Sequence, residues 1–193
     1  MNDQPQIGIP EKYTEVLERA NKIGFTMPSD FQVGSLLKTL VSAKPAAHVL
    51  ELGTGAGLSL VWMIDGLDDQ STLISVDNDA QLSKTALESL GDDARVAIVC
   101  EDGTQWIKSY TGKPFDVIFA DAWPGKYSEL EEILELLKIG GFYVVDDMEP
   151  QENWPEGHEK LANNLAQYLE ERSDMTITKM KWSTGIIIAV KNK

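Results

Sequence analysis

The chain has 193 residues, enough for one well-buried domain and too few for two of ordinary size. Hydrophobic residues make up 42% and charged residues 25%, a globular balance that excludes a disordered chain. Acids outnumber bases 31 to 17, and the resulting charge of −14 repels phosphate backbones, which argues against a nucleic-acid partner. No apolar run reaches the ~18 residues of a membrane-spanning helix, so no membrane partner is expected. Residues 1–5 carry no apolar stretch of the kind that opens a secretory signal. A single cysteine, Cys100, cannot form an internal disulfide, and the expected location is the cytoplasm.

Two candidate helices come first, about Glu11 to Lys22 and Asp30 to Ser42, with Ser29 and Gln32 spaced as a capping box for the second. Ala47 to Leu52 is an apolar run stopped by glycine and reads as a buried strand. A helix follows from Leu58 to Leu67, then a strand from Thr72 to Asp77 and a helix from about Ala80 to Leu90. Arg95 to Cys100 is a third strand, Thr104 to Tyr110 a short helix, and Phe115 to Ala120 a fourth strand. Ser128 to Leu137 is an amphipathic helix, with Gly140-Gly141 read as its C-cap, before a fifth strand from Phe142 to Val145. A long helix from Pro155 to Glu171 leads to two strands, Thr176 to Trp182 and Ile186 to Val190, joined by a glycine-containing turn as a hairpin. Alternating strands and helices imply a parallel α/β sheet covered on both faces, here finished by an antiparallel hairpin.

Ligands bind open α/β sheets beyond the carboxyl ends of the strands, where the strand order reverses. The first strand ends in Gly53-Thr54-Gly55-Ala56-Gly57, and glycine lets the backbone turn tightly and approach a ligand. The spacing is G-x-G-x-G rather than the dinucleotide G-x-G-x-x-G, and Glu51 precedes it. A carboxylate at Glu51 opposes a pyrophosphate but suits a cofactor carrying an ammonium and a sulfonium. Asp77, ending the second strand, is placed to accept ribose hydroxyls, and Asp102, ending the third, an adenine amino group. Either aspartate has the alternative role of a helix cap.

This set resembles the class I S-adenosylmethionine-dependent methyltransferases across nearly the whole chain. The resemblance implies a Rossmann-like fold with a seven-stranded, mostly parallel sheet in the order 3-2-1-4-5-7-6. It implies that Glu51, Gly53, Thr54, Gly55, Gly57, Ser59, Asp77, Asp102 and Asp121 hold the cofactor. Gly53 and Gly55 would line its methionine portion, with Ser59 near the carboxylate. Residues 1–46 would be helices capping the active site and 47–193 the cofactor-binding catalytic part, together one compact domain.

Phe119-Ala120-Asp121-Ala122-Trp123 and Val144-Val145-Asp146-Asp147-Met148 end the fourth and fifth strands, so three carboxylates can converge. Such a group must bind a cation or keep a proton, and oxygen ligands suit Mg²⁺ or Ca²⁺. These segments are similar to the small-molecule O-methyltransferases that act on catechols and caffeoyl-type esters, as is Met27 to Gly34. That likeness implies Asp121, Asp146 and Asp147 as metal ligands, with Asp147 where the family usually has Asn, and a homodimer. The implied mechanism is a metal-held, acidified hydroxyl attacking the methyl in line. The family's catalytic lysine falls on Pro124; Lys126, two residues on, is the substitute base, or else a solvated surface charge.

His48 and His158 read as structural or exposed, and Cys100 as a small core residue. Trp123, Tyr127, Trp154 and Trp182 fall near the expected pocket, where aromatics hold planar substrates or simply pack. The leading expectation is methylation of a hydroxyl on a small aromatic molecule. The alternatives are a metal-independent small-molecule or N-methyltransferase, and a binding module that has lost catalysis.

Overall fold

The central strand, β1 (His48–Leu52), is buried from Val49 to Leu52, as expected of an apolar run in a sheet covered on both faces. It pairs in parallel with β2 (Thr72–Asp77) on one side and β4 (Phe115–Ala120) on the other. Beyond β2 lies β3 (Val96–Cys100), and beyond β4 lies β5 (Leu137–Val145), both parallel. The last two strands, β6 (Met175–Met180) and β7 (Ile186–Lys191), reverse direction, with β7 inserted antiparallel between β5 and β6. The order is therefore β3-β2-β1-β4-β5-β7-β6, the one expected from the sequence. The structure is a computed structural model that describes residues 8–151 and 153–193. The segment 1–5, read above for a secretory signal, lies outside the described residues.

Period-two alternation splits each strand between two apolar cores. Val49, Val117, Phe119 and Val144 face helices α1 (Tyr13–Lys22), α2 (Phe31–Ser42) and α3 (Leu58–Gly66) through Val16, Leu37 and Trp62. Leu50, Leu52, Ile118 and Val145 face α5 (Gly103–Ser109), α6 (Leu130–Glu135) and α7 (His158–Glu171) through Trp106, Ile133 and Leu165. The remaining helix, α4 (Ala80–Leu90), joins β2 to β3. Gly34 is dictated by packing, since a Cβ there would overlap the buried Trp62 indole.

Four local expectations need correction. Gly140-Gly141 does not cap a helix: α6 ends at Glu135, and the glycines lie inside β5, where the pairing with β4 shifts register. The sheet wins there because Phe115 pairs with Leu137, drawing residues 137–139 into the ladder. No capping box forms on α2, whose N-cap is Asp30; Ser29 faces a cleft instead. The last helix starts at His158, not Pro155, after Gly157 at a φ of 87°. Cys100 is exposed rather than buried, because β3 is an edge strand covered less completely than the centre. Among the described residues, no helix is long and apolar enough to cross a membrane.

Candidate functional site

The strand order reverses between β1 and β4, and the loops leaving these two strands meet there. Gly53 N–H donates to Val76 O at 2.9 Å, and Asp121 N–H donates to Leu52 O at the same distance. Gly53 has a φ of 102°, and a Cβ on it would lie 3.0 Å from the Asp121 carbonyl oxygen. Only glycine tolerates both the backbone angle and that approach. Gly57, with a φ of 94°, serves another purpose: a Cβ there would press on Leu90 and Ala86, so it lets α3 start close against α4.

Beyond the loop opens a cleft of about 550 Å³. Of the residues expected to hold the cofactor, Gly53, Thr54, Gly55, Ser59, Asp77 and Asp121 line it. Asp77 holds the loop in shape: one carboxylate oxygen accepts Gly55 N–H and the other Asp79 N–H, each at 2.8 Å. Each oxygen keeps a lone pair for a further donor. Asp102 takes the helix-cap role, accepting Gln105 N–H at 2.9 Å, while its neighbour Gly103 reaches the cleft wall. Phe25, Asn78, Asp79 and Leu82 also line the cleft and were not picked out from the sequence. Asn78 and Asp79 were detectable as the residues directly after Asp77; Phe25 was not, being brought in by the turn after α1.

Glu51 is wholly buried beneath the loop and does not line the cleft. Its two carboxylate oxygens accept Ser59 Oγ and Ser75 Oγ, each at 2.5 Å, and Ser75 also meets Thr54 Oγ1. Glu51 thus braces Ser59 and Thr54 from below. Burial outweighs these hydrogen bonds and pushes its carboxyl up to about 8, so it is neutral at pH 7. Between its unfolded value near 4.5 and about 8 the native state holds a proton that the unfolded state has lost, so stability falls as pH rises. At 1.36 kcal/mol per pKa unit the total loss is on the order of 5 kcal/mol. Glu51→Gln keeps the group neutral at every pH and should flatten this fall, as urea unfolding at pH 5, 7 and 9 would measure.

A second cleft of about 310 Å³ adjoins the first, and Asp121, Asp147, Met27 and Ser29 line both. Asp146, Gln151 and Thr184 also line it, together with Thr26, Asp30 and Asn153. One oxygen of the Asp146 carboxylate, Oδ1, accepts both the Asp147 N–H at 2.7 Å and the Thr184 hydroxyl. Burial raises Asp146 to about 6, and burial plus the charge of Asp146 raises Asp121 well above the ordinary carboxylate range. Asp147, at a φ of 51°, is raised by burial as well.

Lys126 is no surface charge. It is 4% exposed, lines neither cleft, and donates from Nζ to the backbone oxygen of Asp146 at 2.6 Å. Desolvation lowers its affinity for a proton, while Asp121, Asp147 and Asp146 raise it. Both hydrogen bonds to the Asp146 carboxylate fall on Oδ1, and the Lys126 contact is to its backbone oxygen. Among the described residues, no three His, Cys, Asp or Glu side chains gather as metal ligands.

The histidines have partners that the sequence did not indicate. His158 Nε2 meets the Tyr127 hydroxyl at 2.9 Å, and its ring stacks on Trp154 at 4.3 Å. This couples the segment before α7 to the loop after β4, with Trp123 packed edge-on against both Tyr127 and His158. His48 begins β1, at the end of the strand away from the glycine loop, stacked on Phe115 and bonded to Tyr110 and Thr72.

Comparison with known proteins agrees with this geometry. The profile of the O-methyltransferase family matches residues 12–190. The catechol O-methyltransferase of Mycobacterium tuberculosis is 28% identical over 121 residues, covering 61% of this chain and 55% of that protein. The chain spans between 55% and 63% of the length of the first curated relatives it matches. The O-methyltransferase TomG of Streptomyces achromogenes, involved in tomaymycin synthesis and solved with S-adenosylmethionine, superposes with a TM-score of 0.84 at 21% identity. That match covers 97% of this chain and 92% of TomG. An O-methyltransferase from Bacillus cereus, solved with S-adenosylhomocysteine, gives 0.82 at 21% identity over 97% and 93% of the two chains. At such identities the structures establish a shared fold.

Proposed function

The chain belongs to the O-methyltransferase family, and from that premise we propose that it transfers the methyl group of S-adenosylmethionine to a hydroxyl of a small molecule. The observation that carries this reading is Asp121, which lines both clefts and so stands between the donor's place and the acceptor's. The donor fits the larger cleft: Gly53 and Gly55 admit the methionine portion, and Asp77 offers its free lone pairs to the ribose. Bound there, S-adenosylmethionine supplies a methyl group activated by the adjacent sulfonium.

The chain's own residues then have three tasks. Asp77 and the glycine loop fix the donor, which turns a bimolecular encounter into a positioned one. Asp121, where the two clefts meet, is the group placed to take the acceptor's hydroxyl proton. The second cleft holds the acceptor, with Ser29, Gln151 and Thr184 as hydrogen-bonding groups. Met27 and Trp123, both exposed at the mouth, give apolar faces for an aromatic ring. The metal assistance implied by the catechol-type resemblance is not part of this reading, since no three His, Cys, Asp or Glu side chains gather as ligands among the described residues. The protein is further proposed to work in the cytoplasm on free small molecules, the dimer of the family resemblance being a separate expectation for sedimentation to decide.

The test is transfer from methyl-labelled S-adenosylmethionine to a panel of catechols, phenylpropanoids and amino-bearing alcohols, run with Mg²⁺ and with chelator. O-methylated product at equal rates in both conditions is the expected result. Product only on nitrogen, or none despite tight cofactor binding, would replace the reading with an N-methyltransferase or with a binding module.

A further inference from the structure

Glu51 on β1 and Ser75 on β2 are register partners in the parallel pair, and both are wholly buried. Two residues back along each strand, on the same face, stand Val49 and Leu73, members of the apolar core that packs against α1, α2 and α3. A carboxyl and a hydroxyl thus continue a face that is otherwise hydrocarbon, where a polar group costs stability unless it is hydrogen-bonded. Here the two are bonded to each other and to two residues of the larger cleft. We infer that Ser75 is a positioning residue for the amino-acid end of the methyl donor, acting from outside the cleft through Thr54 and Glu51. The inference rests on the proposed place of S-adenosylmethionine in the larger cleft and is independent of the acceptor.

One hydrogen-bonded chain runs from Thr54 through Ser75 and Glu51 to Ser59. The hydroxyls of Thr54 and Ser75 meet at 2.5 Å, and Ser75 Oγ and Ser59 Oγ each donate to one Glu51 oxygen at 2.5 Å. The two ends of the chain, Thr54 and Ser59, line the larger cleft, and the two middle members do not. Thr54 belongs to the glycine loop and Ser59 to the first turn of α3, so loop and helix are tied to the same pair of strands. Gly53 and Gly55, on either side of Thr54, bring no side chains that could fix its orientation. Among the described residues, the hydrogen bond that the Thr54 hydroxyl makes is the one to Ser75.

This chain serves one end of the donor. Asp77, at the end of β2, is the group offered to the ribose. Ser59 instead opens α3, a helix start whose N–H groups favour the donor's carboxylate. Among the described residues, the Ser75 hydroxyl bonds to Thr54 and Glu51 and makes no contact with Asp77. Removing it releases Thr54 and takes one donor from Glu51, which also holds Ser59. The loss therefore falls on the amino-acid end and leaves the ribose partner in place.

Calorimetric titration of the full chain with S-adenosylhomocysteine and with 5′-methylthioadenosine, which lacks the amino-acid end, tests this without passing through turnover. Ser75→Ala should bind S-adenosylhomocysteine about 10-fold more weakly and keep 5′-methylthioadenosine within about twofold of wild type, the scale set by one or two lost hydrogen bonds. Equal weakening of both ligands would overturn the inference, since Ser75 would then be general support for the loop. Unchanged affinity for S-adenosylhomocysteine would overturn it as well. If Ser75→Ala does not fold, Glu51→Leu combined with Ser75→Ala decides, because it removes the polar pair together and leaves no carboxyl unpaired between the strands. Selective loss of S-adenosylhomocysteine binding in that variant supports the inference, and an unfolded chain or unselective loss counts against it. Wild type that binds neither ligand would sink the donor reading and the inference together. Wild type that binds S-adenosylhomocysteine, beside variants without selective loss, would sink the inference alone.

Discussion

Replacing Asp121 by Asn is expected to lower kcat by about 10²–10⁴-fold, the usual contribution of a positioned acid–base group. The substitution changes little except the ability to take a proton. Asn keeps the size and shape of the Asp121 side chain. Its backbone remains pinned to Leu52 O, and the contact with Gly53 involves only main-chain atoms. Stability should therefore stay near wild type, and the loss should fall on kcat more than on the KM for S-adenosylmethionine. Single-turnover rates beside calorimetric titration of S-adenosylhomocysteine would separate the two. Wild-type kcat in Asp121→Asn would remove Asp121 from the chemistry and with it the proposed proton acceptor.

Asp77→Ala should act on the other side of the reaction, weakening cofactor binding by on the order of 100-fold with kcat at saturation much less affected. Two losses combine. The ribose loses charge-assisted hydrogen bonds worth roughly 1.5–3 kcal/mol each, and the glycine loop loses the carboxylate that holds Gly55 N–H. Asp77→Asn separates them, because an amide oxygen can still accept one of the two N–H groups while its NH₂ cannot accept from the ribose. An affinity for Asp77→Asn close to that of Asp77→Ala would assign most of the effect to the ribose, and one close to wild type would assign it to loop shape. Unchanged affinity in both variants would place the donor elsewhere.

The sequence was most legible where chemistry and backbone constraint coincide. The G-x-G-x-G spacing and the acids at successive strand ends led to the loop, to Asp77 and to Asp121, and these line the cleft. The hydrophobic periods gave each strand within a residue or two, except β5, whose first residues were hidden behind Gly140 and Gly141. Glycine ends helices far more often than it sits within strands, and only the pairing of Phe115 with Leu137 reverses that preference. Glu51 was expected to hold the cofactor, but its spacing could not say that it faces Ser59 and Ser75 from beneath rather than the open cleft.

The strand order came only with the family resemblance, whereas the strands themselves and the carboxylates at their ends were legible in local patterns, because hydrophobic period and turn chemistry are written in neighbouring residues. The roles of Lys126, His158 and Asp102 were not, because each depends on a partner distant in the chain or on a choice between two partners. Lys126 reads as a surface charge until Gly125 turns it under Asp146, 20 residues away. His158 reads as partnerless until Tyr127, 31 residues earlier, is folded against it. Asp102 was read as the adenine-binding acid with a helix cap as the alternative, and in the fold one of its oxygens caps α5. Burial is a property of the assembled fold, and it is the assembled fold that buries Lys126 and His158 against these distant partners.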